Sequence, residues 1–130
     1  MKTQCPQAII SVDLKKNRIR IHKSTLHLLG DPPYIQLLVN PDKQIVAVRS
    51  LDRYVSGDQV HRITRKALES DNSIEIYSQL LSLKLMDTSA CFSRGGLFKL
   101  TGIFVPSEQL AVFPMKSLFE SKERDPVHEA

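Results

Sequence analysis

The sequence has no tryptophan, two cysteines among 130 residues, and no long apolar run. A membrane-spanning helix needs about 20 consecutive apolar residues, and no stretch of this chain approaches that length. Cys5 and Cys91 are isolated and lack metal-ligand spacing, which favours reduced thiols. Met1–Pro6 carries a single lysine with no apolar run after it, and is therefore a poor signal peptide. These absences predict a cytoplasmic protein that does not enter a membrane.

Sequence motifs for catalysis and for metal or phosphate binding are also missing. The chain contains no nucleophile motif, no pair of catalytic carboxylates and no phosphate-binding loop. His22 and His27 are five positions apart, so they do not share a helix face as metal ligands four positions apart would. We therefore expect a protein that is not an enzyme and that has no metal site, no cofactor and no small-molecule substrate.

One pattern of residues occurs twice in the chain, at 17–30 and at 72–85. In each copy isoleucines alternate with polar residues over a short segment, which is typical of a strand with one buried face. A leucine-rich segment follows and predicts a short helix. In the first copy we expect Ser24 to cap this helix and Gly30 to end it in a left-handed conformation.

The segments that flank the two copies also correspond. A strand is predicted before each copy, and two strands joined by a proline-containing turn are predicted after it. Each unit therefore follows the order ββαββ, although chance similarity between amphipathic segments is the alternative explanation. The predicted strands are 8–14, 18–22, 34–39 and 44–49 in the first unit and 60–66, 72–77, 97–105 and 109–113 in the second, with helices at 24–29 and 78–87.

The length of the chain suits one domain built from both units. A chain of 130 residues buries roughly two thirds of its unfolded surface, whereas either unit alone is too small for a stable core. We therefore predict a mainly β (α+β) fold over 1–130, with pseudo-repeats at 8–50 and 60–116. Residues 51–59 would link the units, 87–96 would be an insertion in the second unit, and 117–130 would form a charged, frayed tail.

The positive charge of the chain is concentrated in the first copy. The formal net charge is +4 and the isoelectric point about 9.2, which permits a polyanionic partner without requiring one. Arginine side chains can contact guanine edges and lysines can neutralise phosphates, although a solvated strand face is the plainer interpretation. The candidate DNA-binding residues are Lys15, Lys16, Arg18, Arg20 and Lys23.

The second copy lacks this basic face, because Ser73 and Glu75 occupy the positions of Arg18 and Arg20. A two-fold DNA-binding protein normally presents two matching surfaces to two half-sites. With one basic face per chain, strong DNA binding would require a homo-oligomer.

The segment 17–23, the end of the helix at Leu28-Leu29-Gly30 and the strand pair after it resemble the AbrB/SpoVT-like DNA-binding domains. Two units in one chain are similar to the tandem arrangement of MraZ proteins. The resemblance implies a swapped-hairpin barrel in which each unit donates a hairpin, and a transcriptional regulator that binds duplex DNA through the first hairpin. The chain departs from the family at Asn17 and His22, where glycine and proline are usual. It also resembles a group of uncharacterised bacterial proteins, which implies no activity.

The sequence thus supports two hypotheses about function. The first is a cytoplasmic transcriptional regulator whose basic hairpin binds duplex DNA. The alternative is a non-enzymatic protein-interaction or assembly module that has kept the barrel without DNA binding, and the loss of basic residues from the second copy favours this alternative.

Overall fold

The computed structural model of the protein describes residues 7–69, 73–93 and 95–120. The first unit forms a hairpin, a short helix and a second hairpin. The second unit has its strands in the same order along the chain, with one added helix, but its first two strands do not pair with each other. The elements of the first unit are β1 (Ala8–Asp13), β2 (Arg18–Ile21), α1 (Lys23–Leu28), β3 (Tyr34–Asn40) and β4 (Ile45–Leu51). Those of the second are β5 (Val60–Arg62), α2 (Arg65–Glu69), β6 (Ile74–Tyr77), α3 (Gln79–Thr88), β7 (Leu97–Val105) and β8 (Leu110–Pro114), followed by β9 (Phe119–Glu120).

Eight strands form one curled antiparallel sheet in the order β5-β3-β4-β8-β7-β1-β2-β6, and β9 adds to β7. This confirms a mainly β fold built from repeating units. Strands of the two units pair with each other at four places: β1 with β7, β3 with β5, β2 with β6, and β4 with β8. The sheet therefore cannot be divided into two units without breaking backbone hydrogen bonds between them.

The register of the sheet relates the two units by a pseudo-two-fold axis. Arg20 lies opposite Glu75 in the β2–β6 pair, and Ala47 lies opposite Val112 in the β4–β8 pair. In both cases the partners occupy equivalent positions in the two units. A two-fold axis that exchanges the units passes midway between equivalent residues that face each other, so these two pairs mark its position.

The turns that precede β4 and β8 are equivalent in backbone conformation as well as in sequence. Gln44 and Gln109 both have a φ angle of 54°. Each side-chain amide donates to the carbonyl of the proline three residues earlier, Pro41 at 3.0 Å and Pro106 at 3.1 Å. The sequence match between these turns therefore extends to their hydrogen bonds.

The second unit differs from the first between its first two strands. The strand predicted over 60–66 is wrong beyond Arg62, because α2 forms over Arg65–Glu69. Eleven residues (63–73) separate β5 from β6, whereas four (14–17) separate β1 from β2. Such a long connection does not make the tight turn that pairs β1 with β2. Within the described residues β5 pairs with β3 and not with β6, so the sheet stays open there and is a half-barrel.

The helix ends match the local sequence signals at Gly30 and Ser78 but not at Ser24. Gly30 has a φ angle of 86°, as predicted for the end of α1. The predicted Ser24 cap is wrong, because α1 begins at Lys23 with His22 in the N-cap position and no side-chain cap bond. Ser78 does cap α3, since its hydroxyl accepts from the amide of Leu81 at 3.1 Å. The N-cap residue has an extended backbone. His22, which directly follows β2, has that conformation, and Ser24 is already inside the helix.

The C-terminal segment adds a short strand to the sheet. The predicted frayed tail began at 117, but Phe119 and Glu120 pair with Lys99 and Phe98 of β7. The rest of that prediction, 121–130, lies outside the described residues.

One hydrophobic core unites the two units. Alternate residues of the strands face inward and join a single buried cluster with α1 and α3. Ile10 and Ile21 of the first unit and Leu100 and Phe113 of the second are fully buried in it. Alternation of this kind is what the period of two in the sequence predicts. Among the helices of the described segments, none has the length and apolarity needed to cross a membrane.

The passage of β7 from β1 to β8 depends on a glycine. Gly102 pairs with Ala8 of β1, and the next residue, Ile103, pairs with Val112 of β8. A Cβ atom on Gly102 would lie 2.0 Å from the carbonyl oxygen of Val112. Because that oxygen belongs to the backbone, the clash cannot be relieved by a side-chain rotation.

Gly102→Ala should therefore lower the free energy of unfolding by about 3 kcal/mol or more. Urea denaturation followed by circular dichroism measures the loss. Gly57→Ala is the control, because a Cβ there comes no closer than 3.3 Å, to the amide of the Gln36 side chain. Equal stability of the two variants would contradict this account of β7.

Candidate nucleic-acid interface

The candidate interface lies on the outer face of the sheet, around the β1–β2 hairpin. Ile19 and Ile21 are buried while Arg18 and Arg20 are partly exposed. The predicted alternation of buried and exposed residues in β2 is therefore confirmed. Strand pairing places β7, β1, β2 and β6 side by side on this face.

Asp13 fixes the hairpin turn and one of the arginines. Its carboxylate is 6% exposed and accepts from the guanidinium of Arg18 at 3.1 Å. The same carboxylate accepts from the backbone amides of Lys15 and Lys16, at 3.1 Å and 3.3 Å. Asn17 completes the turn with a φ angle of 54°, a conformation that asparagine tolerates better than most residues. The turn thus holds two exposed lysine side chains at the end of the hairpin.

Glu75 of the second unit partly neutralises both arginines. Its carboxylate accepts from Arg20 at 2.8 Å and from Arg18 at 3.5 Å, and Tyr77 donates to it at 3.1 Å. The hydrogen bond from Arg20 is the main cause that lowers the pKa of Glu75. Burial opposes the charge of Arg18, but its hydrogen bond to Tyr77 and the nearby Glu75 and Asp13 still raise its pKa. Glu75 and Arg18 are therefore both charged at neutral pH.

Lys23 is not brought together with the other four candidates. Its ammonium group donates to the backbone carbonyl of Ala67 at 2.8 Å and to that of Leu68. Both carbonyls belong to α2, so Lys23 joins α1 of the first unit to the added helix of the second. A cation near the C-terminal end of a helix stabilises that helix. The contact of Lys23 with α2 therefore has a structural role.

The other four candidates line a depression of about 510 Å³ in the outer face. Sequence reasoning missed three polar residues that share it: Ser11, His22 and Lys99. Lys99 comes from β7 of the second unit and lies opposite Ser11 in the register of β1 and β7. No local signal marks Lys99, because only the pairing between units places it here. The remaining lining residues are Asp13, Leu97 and Phe98.

The depression carries an excess of positive charge. Among the described residues, five lysines and arginines and one aspartate line it, and Glu75 pairs with two of the arginines at its edge. Five positive and two negative groups give a local net charge of +3, against +4 for the whole chain. A concentrated field of this kind attracts anions.

No family model, curated protein or solved structure matches this chain.

In the described part of the chain, no three His, Cys, Asp or Glu side chains are grouped so that they could hold a metal ion.

The half-buried imidazole of His22 makes the stability of the fold depend on pH. Burial is the main cause that lowers the pKa of His22 below 6.5, and the charges of Lys99 and Arg20 act in the same direction. The folded protein therefore binds this proton less tightly than the unfolded chain does. The free energy of unfolding should be largest above pH 6.5 and should fall as the pH drops below that value.

Urea denaturation at about pH 7.5 and about pH 5.5 tests this expectation. His22→Gln should reduce the loss of stability at the lower pH, because it removes one of the groups responsible. Burial also lowers the pKa of His61, so part of the loss should remain in the variant. A wild-type protein that is more stable at the lower pH would contradict the argument.

Proposed function

We propose that this protein is an AbrB-like transcriptional regulator that binds duplex DNA through the outer face of the β1–β2 hairpin. The observation that carries the proposal is the concentration of a local net charge of +3 around one exposed hairpin. Lysines in the turn can neutralise phosphates, and the arginines of β2 can reach base edges. The interleaved strands of the two units support the resemblance to a swapped-hairpin barrel.

The second unit shapes this interface without repeating it. Glu75 occupies the position that is equivalent to Arg20, and the pseudo-two-fold axis brings the two side chains together. DNA would have to draw both arginines away from this carboxylate. The proposed interface therefore binds DNA in competition with an internal acidic group.

The exposed lysines of the turn are the sharpest test of the proposal, because replacing Arg18 would leave the buried carboxylate of Asp13 without its guanidinium partner. Lys15→Gln with Lys16→Gln should weaken duplex binding by about ten-fold and reduce the salt slope by about two. Fluorescence anisotropy over a range of salt concentrations measures both effects.

Lys43→Gln with Lys116→Gln is the matched control, since it removes the same charge from two other exposed lysines. The turn that contains Lys43 and the β1–β2 turn lie at opposite ends of α3. The backbone amide of Ser78, at the start of α3, donates to the carbonyl of Asn17, whereas the side-chain amide of Gln44 donates to the carbonyl of Thr88 at the end of the helix. Equal losses in the two double variants would indicate diffuse attraction and would count against the hairpin. In a companion measurement, Glu75→Gln should tighten binding more than Glu108→Gln, which removes an equal charge elsewhere.

A second candidate function, that of a non-enzymatic assembly module, is favoured by the outer face of α3. Leu80 is 76% exposed and Leu83 is 45% exposed, and Tyr77, which precedes the helix in the chain, is 62% exposed. We propose a second copy of this chain as the occupant of that face. Lys84 and Asp87 lie on the same face of the helix, and their opposite charges leave no net repulsion between two copies. In this alternative the protein self-associates and does not bind DNA.

Sedimentation velocity at several concentrations tests the assembly proposal. The wild type should dimerise, and Leu80→Gln with Leu83→Gln should raise the dissociation constant by about ten-fold or more. Val55→Gln with Ile103→Gln is the matched control, because it replaces two other exposed apolar residues. A monomer at all concentrations that binds duplex DNA strongly would exclude this alternative.

A further inference from the structure

A row of side chains that crosses the junction between the two units forms the floor of the depression. Lys99 on β7 lies opposite Ser11 on β1, and Ser11 lies opposite Arg20 on β2. Directly opposed residues have Cβ atoms about 5 Å apart, so Lys99 and Arg20 stand about 10 Å apart at their Cβ atoms. Ser11 is the smallest side chain of the row, which leaves space between the two cations.

We propose that this depression is a binding site for a phosphate group, which Lys99 and Arg20 bind from opposite sides above the hydroxyl of Ser11 and the imidazole of His22. The two cations provide charge-assisted hydrogen bonds. Ser11 Oγ and His22 Nε2 are 3.0 Å apart. When the imidazole donates to the hydroxyl oxygen, the hydroxyl of Ser11 can donate to the phosphate. For a phosphate of the DNA backbone the inference rests on the proposed function, whereas a free phosphate compound offers the same chemistry independently of DNA.

The two acidic side chains that the structure describes beside the depression contact the hairpin turn and the arginines of β2. Both carboxylate oxygens of Asp13 accept from the turn and from Arg18. Glu75 lies on the other side of Arg20 from Ser11, because β6 pairs with the free side of β2. The space between Lys99 and Arg20 is therefore bounded by cations on two sides.

His22 provides an internal reporter for a bound anion. The charged and polar groups facing it are Ser11 on β1, Arg20 on β2 and Lys99 on β7. Burial first, and then the two cations, lower the pKa of its imidazole. A phosphate between the same cations would offset their field and would favour the protonated imidazole. Phosphate should therefore raise the pKa of His22.

The experiment titrates the full chain with pyrophosphate and follows binding by calorimetry and the His22 ring by NMR. Ser11→Leu fills the floor without any change in charge, and Lys99→Gln removes one of the two cations. Each should weaken binding by about ten-fold or more, while Lys43→Gln, at an exposed turn on the other hairpin, should leave it unchanged. Saturation should raise the His22 pKa by about 0.5 to 1 unit in the wild type.

The outcomes separate a phosphate site from the proposed DNA binding. Unchanged pyrophosphate binding in Ser11→Leu, or a His22 pKa that does not respond, would overturn the phosphate site. If pyrophosphate binds as expected and duplex DNA does not bind, the site stands for a free phosphate compound and the regulator proposal fails. If DNA binding depends on Lys15 and Lys16 but not on Lys99 or Ser11, the regulator proposal stands and the phosphate site fails. If Ser11→Leu and Lys99→Gln weaken both ligands, the phosphate is one of the DNA backbone.

Discussion

The pairing of strands between the two units is the constraint on which the rest of the structure depends. Four pairs of strands join the units, and the core side chains they carry form one cluster. A hydrogen-bonded ladder loses its backbone partners if its neighbour is removed, and unpaired buried backbone groups are costly. Neither unit can therefore keep its sheet or its core without the other.

The same pairing decides the electrostatics of the outer face. The pseudo-two-fold axis places Arg20 against Glu75, so a sequence difference between the two copies becomes an ion pair. The pairing of β7 with β1 also brings Lys99 beside Ser11, and this adds a cation that the β1–β2 hairpin does not contain. The basic residues of the first copy and the single acid of the second are thus parts of one surface.

The opening of the barrel follows from one local departure from symmetry. The connection between β5 and β6 is longer than that between β1 and β2, and α2 forms within it. The contact of Lys23 with the carbonyls of Ala67 and Leu68 ties this helix to the first unit. Lys23, which was predicted to contact DNA, thus holds the added helix. This contact separates Lys23 from the other four candidate DNA-binding residues.

The sequence by itself determined the repeated order of strands and helices, the buried side of each strand, the left-handed residue at Gly30, and the equivalence of the turns before β4 and β8. These features depend on local side-chain periodicity and on backbone preferences, which act over a few neighbouring residues. The start of α1, the formation of α2 and the pairing of β9 were missed, because the surrounding strands decide them. Only the tertiary structure decided that Glu75 and Lys99 share a face with the basic hairpin. That arrangement depends on the register between strands that are far apart in the chain, and no local pattern encodes this register.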